Sequence, residues 1–402
     1  MFCCKIRFCL VNTLCTERPD IWVSIQDTWA TSQALAYTSV RVILQNTPQW
    51  GLYKPTKGHF KNFSNIRGAY IMHKKILINT RRENGDPLYE FLKKGVEDLN
   101  YEIVKVNLSR EFSRQVMEAA QGCEVIVPAG ELWDKENLEG IKGCTKLIAL
   151  TGVGYDNIDL HSATENGIAV ANTPGSNSNA VAEGCLGIML ALSRKIAFMD
   201  RALRNGVWIK SMMTTEIIGK TIGIVGFGNI GRKLAELLTG FHCNIFVYDV
   251  MKNPLWEEKY NVKYVDLDFL ISESDVISLH LPYNEQTKGL VDRRFLSKMK
   301  KSALLINTSR GGVVNEHDLI EALESGIIAG AGLDVFEQEP VSPQNPLLLM
   351  DNVVVTPHFQ SASKESAFNS FRMLLENIKD FSEGRIPKTV LNPDFVHYKP
   401  VK

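Results

Sequence analysis

The chain has 402 residues, 45% of them apolar and 22% charged, enough for one or two hydrophobic cores and too apolar for disorder. Forty-five basic residues balance forty-five acidic ones. The Lys/Arg surplus of a nucleic-acid or membrane-surface binder is therefore missing, and a small soluble partner is favoured. No apolar run approaches a membrane span, so the expectation is a soluble, cytoplasmic protein.

The first 71 residues differ in kind from the rest. They hold eight Lys/Arg against three Asp/Glu, and four of the eight cysteines (Cys3, Cys4, Cys9, Cys15). They show neither helical periodicity nor strand alternation followed by turn signals, and residues 1–71 read as a non-native or disordered extension. Arg67-Gly68 can be encoded as a purine-rich ribosome-binding run three codons before Met72, as in a bacterial gene that starts at Met72. An organelle-targeting extension or an accessory module are the competing readings. The other cysteines (Cys123, Cys144, Cys185, Cys243) are scattered without a CxxC pair or nearby His, which predicts reduced thiols and no metal site.

From Lys75 onward, runs at 75–80, 101–106, 123–127, 146–150 and 168–171 read as strands, with helices near 87–99, 110–120, 135–141 and 160–166. Such alternation implies a parallel sheet with helices on both faces. A long apolar helix follows over about 178–198. A second series of six strands occupies 221–225, 244–248, 275–279, 302–306, 328–333 and 353–355, the size of a complete dinucleotide-binding sheet. The last helix, about 361–383, lies beyond the sixth strand and is expected to return to the first domain.

The strand Thr221–Val225 runs directly into Gly226-Phe227-Gly228-Asn229-Ile230-Gly231 and then into a helix. That order suits a dinucleotide: Gly226 for the tight turn, Gly228 for backbone approach to a pyrophosphate, Gly231 for close packing of helix on strand. Asp249 ends the next strand, eighteen residues beyond Gly231, where a carboxylate accepts from ribose hydroxyls and repels a 2′-phosphate. NAD is expected over NADP.

Three later strands end in side chains that a packed core would not choose: Thr308-Ser309-Arg310, Asp334 to Pro340, and Thr356-Pro357-His358. With GVGYDNID (Gly152 to Asp159), ANTPGSNSNAVAE (Ala171 to Glu183), GFGNIG, NTSRGGVV (Asn307 to Val314), AGLDVFEQEP (Ala331 to Pro340) and TPH, the chain over about 74–393 resembles the D-isomer-specific 2-hydroxyacid dehydrogenase family. The resemblance implies an α/β fold of two doubly wound parallel-sheet domains. One is a flavodoxin-like substrate domain over 72–175, completed by 358–395; the other is a Rossmann NAD-binding domain over 176–357.

The same resemblance implies that Arg310 clamps the substrate carboxylate and polarises the 2-oxo oxygen, that His358 is the proton donor or acceptor, and that Glu339 fixes its tautomer. Glu337 is the neighbour most easily confused with Glu339. Gly226, Gly228, Asn229, Ile230, Gly231, Asp249, His280, Pro282, Thr308, Arg310, Asp334 and His358 are expected to contact NAD, His280 as a wall residue; for Asp334 a purely structural role is the alternative. His161, His242 and His317 read as structural.

Val153 and Gly154 are expected to bind substrate, with Pro128-Ala129-Gly130-Glu131 completing the pocket. No Arg occurs between Arg114 and Arg194. A bidentate phosphate clamp from this domain is therefore expected to be missing, with Lys135 or a partner subunit as the alternative source of charge, which favours a 2-oxo acid with an uncharged tail, such as glyoxylate, hydroxypyruvate or pyruvate. A short D-3-phosphoglycerate dehydrogenase and an NAD-sensing corepressor are the alternatives; Glu339 argues against a formate dehydrogenase, which pairs the His with Gln. TPHxGG is altered to Thr356-Pro357-His358-Phe359-Gln360-Ser361, which puts the usual backbone contacts in doubt. A homodimer through about 176–215 is the family expectation.

Overall fold

The structure is a computed structural model that describes residues 21–26, 39–44, 74–107 and 114–396. The expectations about a start at Met72 and about Cys3, Cys4, Cys9 and Cys15 fall outside those residues. The chain divides into two units, Met1–Met72 and His73–Lys402. In the first, β1 (Ile21–Gln26) pairs antiparallel with β2 (Ser39–Leu44), Ile21 opposite Leu44. This corrects the reading that found no strand pattern there. Both runs are rich in Val and Ile, which suit a pleated chain, but no turn signal between them marks a hairpin.

The second unit holds two parallel sheets. The smaller contains β3 (Lys74–Asn79), β4 (Tyr101–Val106), β5 (Cys123–Val127), β6 (Leu147–Ala149) and β7 (Ala169–Ala171), in the order β4-β3-β5-β6-β7. Ile76 to Asn79 are all buried, the pattern of a strand covered on both faces. Side-chain caps fix where the helices begin: the Asp86 carboxylate accepts from the Leu88 and Tyr89 amides, with Pro87 at the first helical position. Asp134 and Asp159 cap the helices Lys135–Gly140 and Leu160–Glu165 in the same way.

The larger sheet contains β8 (Thr221–Val225), β9 (Asn244–Tyr248), β10 (Lys263–Tyr264), β11 (Val276–Leu279), β12 (Leu304–Asn307), β13 (Gly330–Leu333) and β14 (Val353–Val355), in the order β10-β9-β8-β11-β12-β13-β14. It has seven strands where six were expected. The extra one, β10, is a two-residue edge strand, too short to leave a period in the sequence.

Two helices depart from their expected spans. The one expected over 178–198 stops at Ser193, because Lys195 takes a left-handed conformation (φ 52°), and a separate helix Ile196–Arg204 follows. The last helix, Lys364–Ser382, begins at its Ser363 cap and returns to the five-stranded sheet. There it buries Phe371, Leu374 and Ile378 in one core with Ile76, Ile78 and Val125. Each such side chain contributes about 1.5–3 kcal/mol of transfer free energy.

Candidate functional site

The register of the seven-stranded sheet sets most of the site. Tyr248, Val225, Leu279, Asn307, Leu333 and Val355 are successive cross-strand partners. The next residue of each strand therefore emerges in one row at the carboxyl edge: Asp249, Gly226, His280, Thr308, Asp334 and Thr356. That edge is where open parallel sheets bind ligands.

Gly226 leaves β8 with φ 95°, and a Cβ there would strike the His280 carbonyl. A Cβ on Gly231 would strike the Gly226 carbonyl, so only glycine lets the helix Asn229–Leu238 pack this close. Gly228 faces open space, and the helix that starts at Asn229 and Ile230 has no side-chain cap on its free N–H groups. These features make a cradle for a pyrophosphate. Asp249 lies over it, its carboxylate accepting from the Phe227 amide (2.7 Å) and the Met251 amide (2.8 Å).

On the other side of the switch between β8 and β11, Ser278 Oγ is 2.9 Å from His280 Nε2, while His280 Nδ1 is buried without a partner. Burial pushes the His280 pKa down to about 4, so the ring is neutral at pH 7 and unsuited to delivering a proton. Pro282, two residues on, is exposed, and Thr308 Oγ1 is another buried polar atom without a partner. Two orphaned polar atoms and the open space over Gly228 fit a dinucleotide lying along this edge.

His358 and Glu339 meet directly: His358 Nδ1 is 2.7 Å from the Glu339 carboxylate, both side chains partly exposed. Glu337 is engaged elsewhere, accepting from the Glu316 amide at 3.0 Å. His358 has a left-handed backbone (φ 52°), held by donation from its amide to the Asp334 carbonyl (2.7 Å). The buried Asp334 carboxylate accepts from the Thr356 hydroxyl (2.6 Å) and the Phe359 and Gln360 amides (2.8 and 3.2 Å). Asp334 thus anchors the loop that carries His358.

The altered TPHxGG ending brings no strain, since among its described residues only His358 has a positive φ. Gln360 donates from Nε2 to Thr356 Oγ1 (2.9 Å), and its amide group occupies the notch left by Gly184, where a Cβ would collide with it. Gly184 and Gln360 fill each other's space, a pairing that neither position signals alone.

Arg310 leaves the end of β12 and reaches across to the loop after β6. Its Nε donates to the Asp156 carboxylate (2.9 Å), its Nη1 to the Ser309 carbonyl (2.8 Å), and a Cβ on Gly154 would collide with its Nη2. The loop is pinned in turn, Val153 O accepting from Asn172 Nδ2 (2.8 Å) and Gly152 O from the Thr173 amide (3.1 Å). Asp156 was missed by sequence reasoning, although it lies inside the GVGYDNID block.

A cavity of about 820 Å³ opens at the carboxyl edge of the five-stranded sheet, where Pro128, Ala129, Thr151, Gly152 and Phe359 line it. Glu131 does not line it but supports the loop from beneath, accepting from Asn79 Nδ2 (3.1 Å) and the Ala129 amide (2.8 Å). Arg81 and Arg82, which follow β3 and so lie outside the stretch between Arg114 and Arg194, also line the cavity, Arg82 being paired with Asp86 at 2.8 Å.

Residues 186–359 match the family described as D-isomer specific 2-hydroxyacid dehydrogenase, NAD binding domain. A glyoxylate reductase of Korarchaeum cryptofilum is 40% identical over 292 residues, 71% of this chain and 87% of that protein. A hydroxypyruvate reductase of Thermotoga maritima is 45% identical over 224 residues, 55% of this chain and 72% of that protein. Among solved structures, a glyoxylate reductase from Paecilomyes thermophila superposes with a TM-score of 0.71 at 29% identity, covering 79% of this chain and 98% of that one.

Proposed function

The chain belongs to the D-isomer specific 2-hydroxyacid dehydrogenase family, and we propose that it interconverts a small D-2-hydroxy acid and its 2-oxo acid, with glyoxylate or hydroxypyruvate as the preferred type. NAD, when bound, supplies the hydride exchanged between its nicotinamide and substrate C2. The Arg310 fork binds the substrate carboxylate and polarises the 2-oxo oxygen, tasks that suit a planar, permanently charged group. Val153 and Gly154 complete the carboxylate side. With Nδ1 held by Glu339, His358 gives its proton from Nε2 during reduction and takes it back there during oxidation.

On this reading residues 72–175 with 358–395 form the substrate domain and 176–357 the NAD-binding domain. The protein works as a homodimer: the helix Ile196–Arg204 has no buried residue, and Leu203 on it and Trp208 and Met213 after it are exposed, an apolar surface within 176–215 that a second copy would cover. The unpaired, buried thiols of Cys123, Cys185 and Cys243 suit a reducing, cytoplasmic setting.

The observation that carries the proposal is the 2.7 Å contact of His358 with Glu339 on the sheet edge that also bears the glycine turn. His358→Ala is expected to lower kcat for glyoxylate or hydroxypyruvate reduction by about a thousandfold while NADH binding, read by fluorescence, survives. Wild-type turnover in that variant would sink the assignment.

A further inference from the structure

Between its first two glycines the cofactor turn carries one side chain, Phe227, and that residue is held at both ends of its backbone and at its ring. Its amide donates to the Asp249 carboxylate (2.7 Å), and its carbonyl accepts from Arg232 Nη1 (3.0 Å). The ring is fully buried and meets Trp256, Tyr260 and Tyr264 edge-on, with centroids 5.7–6.1 Å apart. Tyr264 stands on β10, so the extra edge strand supplies one wall of this aromatic nest.

Arg232 lies in the opening turn of the helix Asn229–Leu238, half-buried, with its guanidinium over the Trp256 ring at 4.1 Å from the centroid. It makes no ion pair among the described residues. A cation at this end opposes the helix dipole, a placement that turns favourable when an anion sits at the same helix end, where the pyrophosphate cradle lies. Arg232 Nη2 also donates to Asn229 Oδ1 (2.6 Å). Because a guanidinium only donates, this contact decides which way round the exposed Asn229 amide lies, oxygen toward Arg232 and nitrogen away from it. Asn229 Nδ2 is turned toward Gly175, where a Cβ would come within 3.3 Å of it, and it has no hydrogen-bond partner among the described residues.

We infer that Arg232 is a positioning residue for the dinucleotide: stacked on Trp256, it locks the Phe227 carbonyl and turns the Asn229 amide so that Nδ2 is left as a donor for a phosphate oxygen at the uncapped helix end. Its own charge, unpaired within the protein, adds to the attraction for that anion. The inference rests on the cofactor edge described above and is independent of which 2-oxo acid is reduced. The glycine turn follows β8, whereas Arg310 follows β12 and His358 follows β14, farther along the same sheet. The effect of Arg232 therefore falls on cofactor affinity and not on the proton or hydride step.

The test measures Kd for NADH and for ADP-ribose, which keeps the pyrophosphate and lacks the nicotinamide, by calorimetry on the cofactor-free full chain. Wild type is compared with Arg232→Met, Arg232→Lys, Asn229→Ala and the double variant Arg232→Met/Asn229→Ala, each checked for folding by thermal unfolding. Arg232→Met is expected to weaken both ligands alike, by about tenfold, and Arg232→Lys, which keeps the charge without the fork, by about threefold. Because Arg232 acts partly through Asn229, the double variant should lose less than the product of the two single losses. The wild-type Kd should also rise more steeply with added salt than that of Arg232→Met. An unchanged ADP-ribose Kd in folded Arg232→Met, or single losses that multiply in full with no change in salt dependence, would overturn this inference alone. Failure of wild type to bind either ligand would overturn the cofactor edge beneath it as well.

Discussion

The two parallel sheets use their carboxyl edges differently. In the seven-stranded sheet, one ladder register carries Asp249, Gly226, His280, Thr308, Asp334 and Thr356 into a row, and each position follows from where its strand ends. In the five-stranded sheet β3, β5 and β6 are also paired in register, but the cavity is walled largely by the loops beyond their ends and by the start of the final helix. A ladder fixes positions to a fraction of an ångström, whereas loops on a rigid scaffold can change without disturbing it. On the proposed reading the reaction chemistry belongs to the first edge and the substrate's surroundings to the second, with Arg310 and its Asp156 contact joining them.

The sharpest way to break that division is at the joint. At Gly154 the missing side chain is what admits the Arg310 guanidinium, so Gly154→Ala pushes the fork aside from the substrate-side loop. Loss of a well-placed charged clamp predicts a fall in kcat/KM of about a hundredfold, with NADH binding retained. Steady-state kinetics beside a fluorescence titration of NADH would separate the two. A variant that lost both together would mean that the loop after β6 shapes the cofactor edge too, and the division between the edges would fail.

A smaller effect is expected at Asp249, which belongs wholly to the seven-stranded edge. Its carboxylate accepts from the Phe227 and Met251 amides beside the glycine turn, where it would repel a 2′-phosphate. Asp249→Asn is expected to shift the NADPH-to-NADH ratio of kcat/KM by about tenfold toward NADPH, leaving the ranking of 2-oxo acids as in wild type. A changed substrate ranking would count against the separation of roles.

The two edges also differed in how far the sequence disclosed them. GFGNIG and Asp249 were readable because a tight turn, a close backbone approach and a close helix each demand a residue type within one strand–turn–helix unit. Arg310, Glu339 and His358 are bland singly, and only their resemblance to a family pattern raised them above surface charges. Arg81 and Lys364 were not readable at all: nearly three hundred residues of chain separate them, and only folding brings both to one cavity. The same holds for Gly184 and Gln360, two departures that make sense as a complementary pair. The break at Lys195 escaped notice because a left-handed lysine leaves the apolar period on either side intact.

The smallest predicted effect concerns the histidine that does not react. His280 and His358 both follow strands of the same sheet, but His358 faces a carboxylate whereas His280 faces a hydroxyl and is half-buried, with Nδ1 enclosed. In the unfolded chain the His280 imidazole takes a proton as the pH falls below about 6.5. In the folded protein burial keeps it neutral until about pH 4, so the unfolded state binds more protons between those values and stability falls as the pH drops through that window. The loss between pH 7 and pH 5 is on the order of 1 kcal/mol. His280→Gln, which keeps a hydrogen-bonding group near Ser278, should lose correspondingly less over the same interval in urea unfolding of the cofactor-free protein. Equal losses in wild type and variant would mean that the folded protein protonates this ring as readily as water does, and a charged His280 beside the glycine turn would then compete with His358 as the proton carrier.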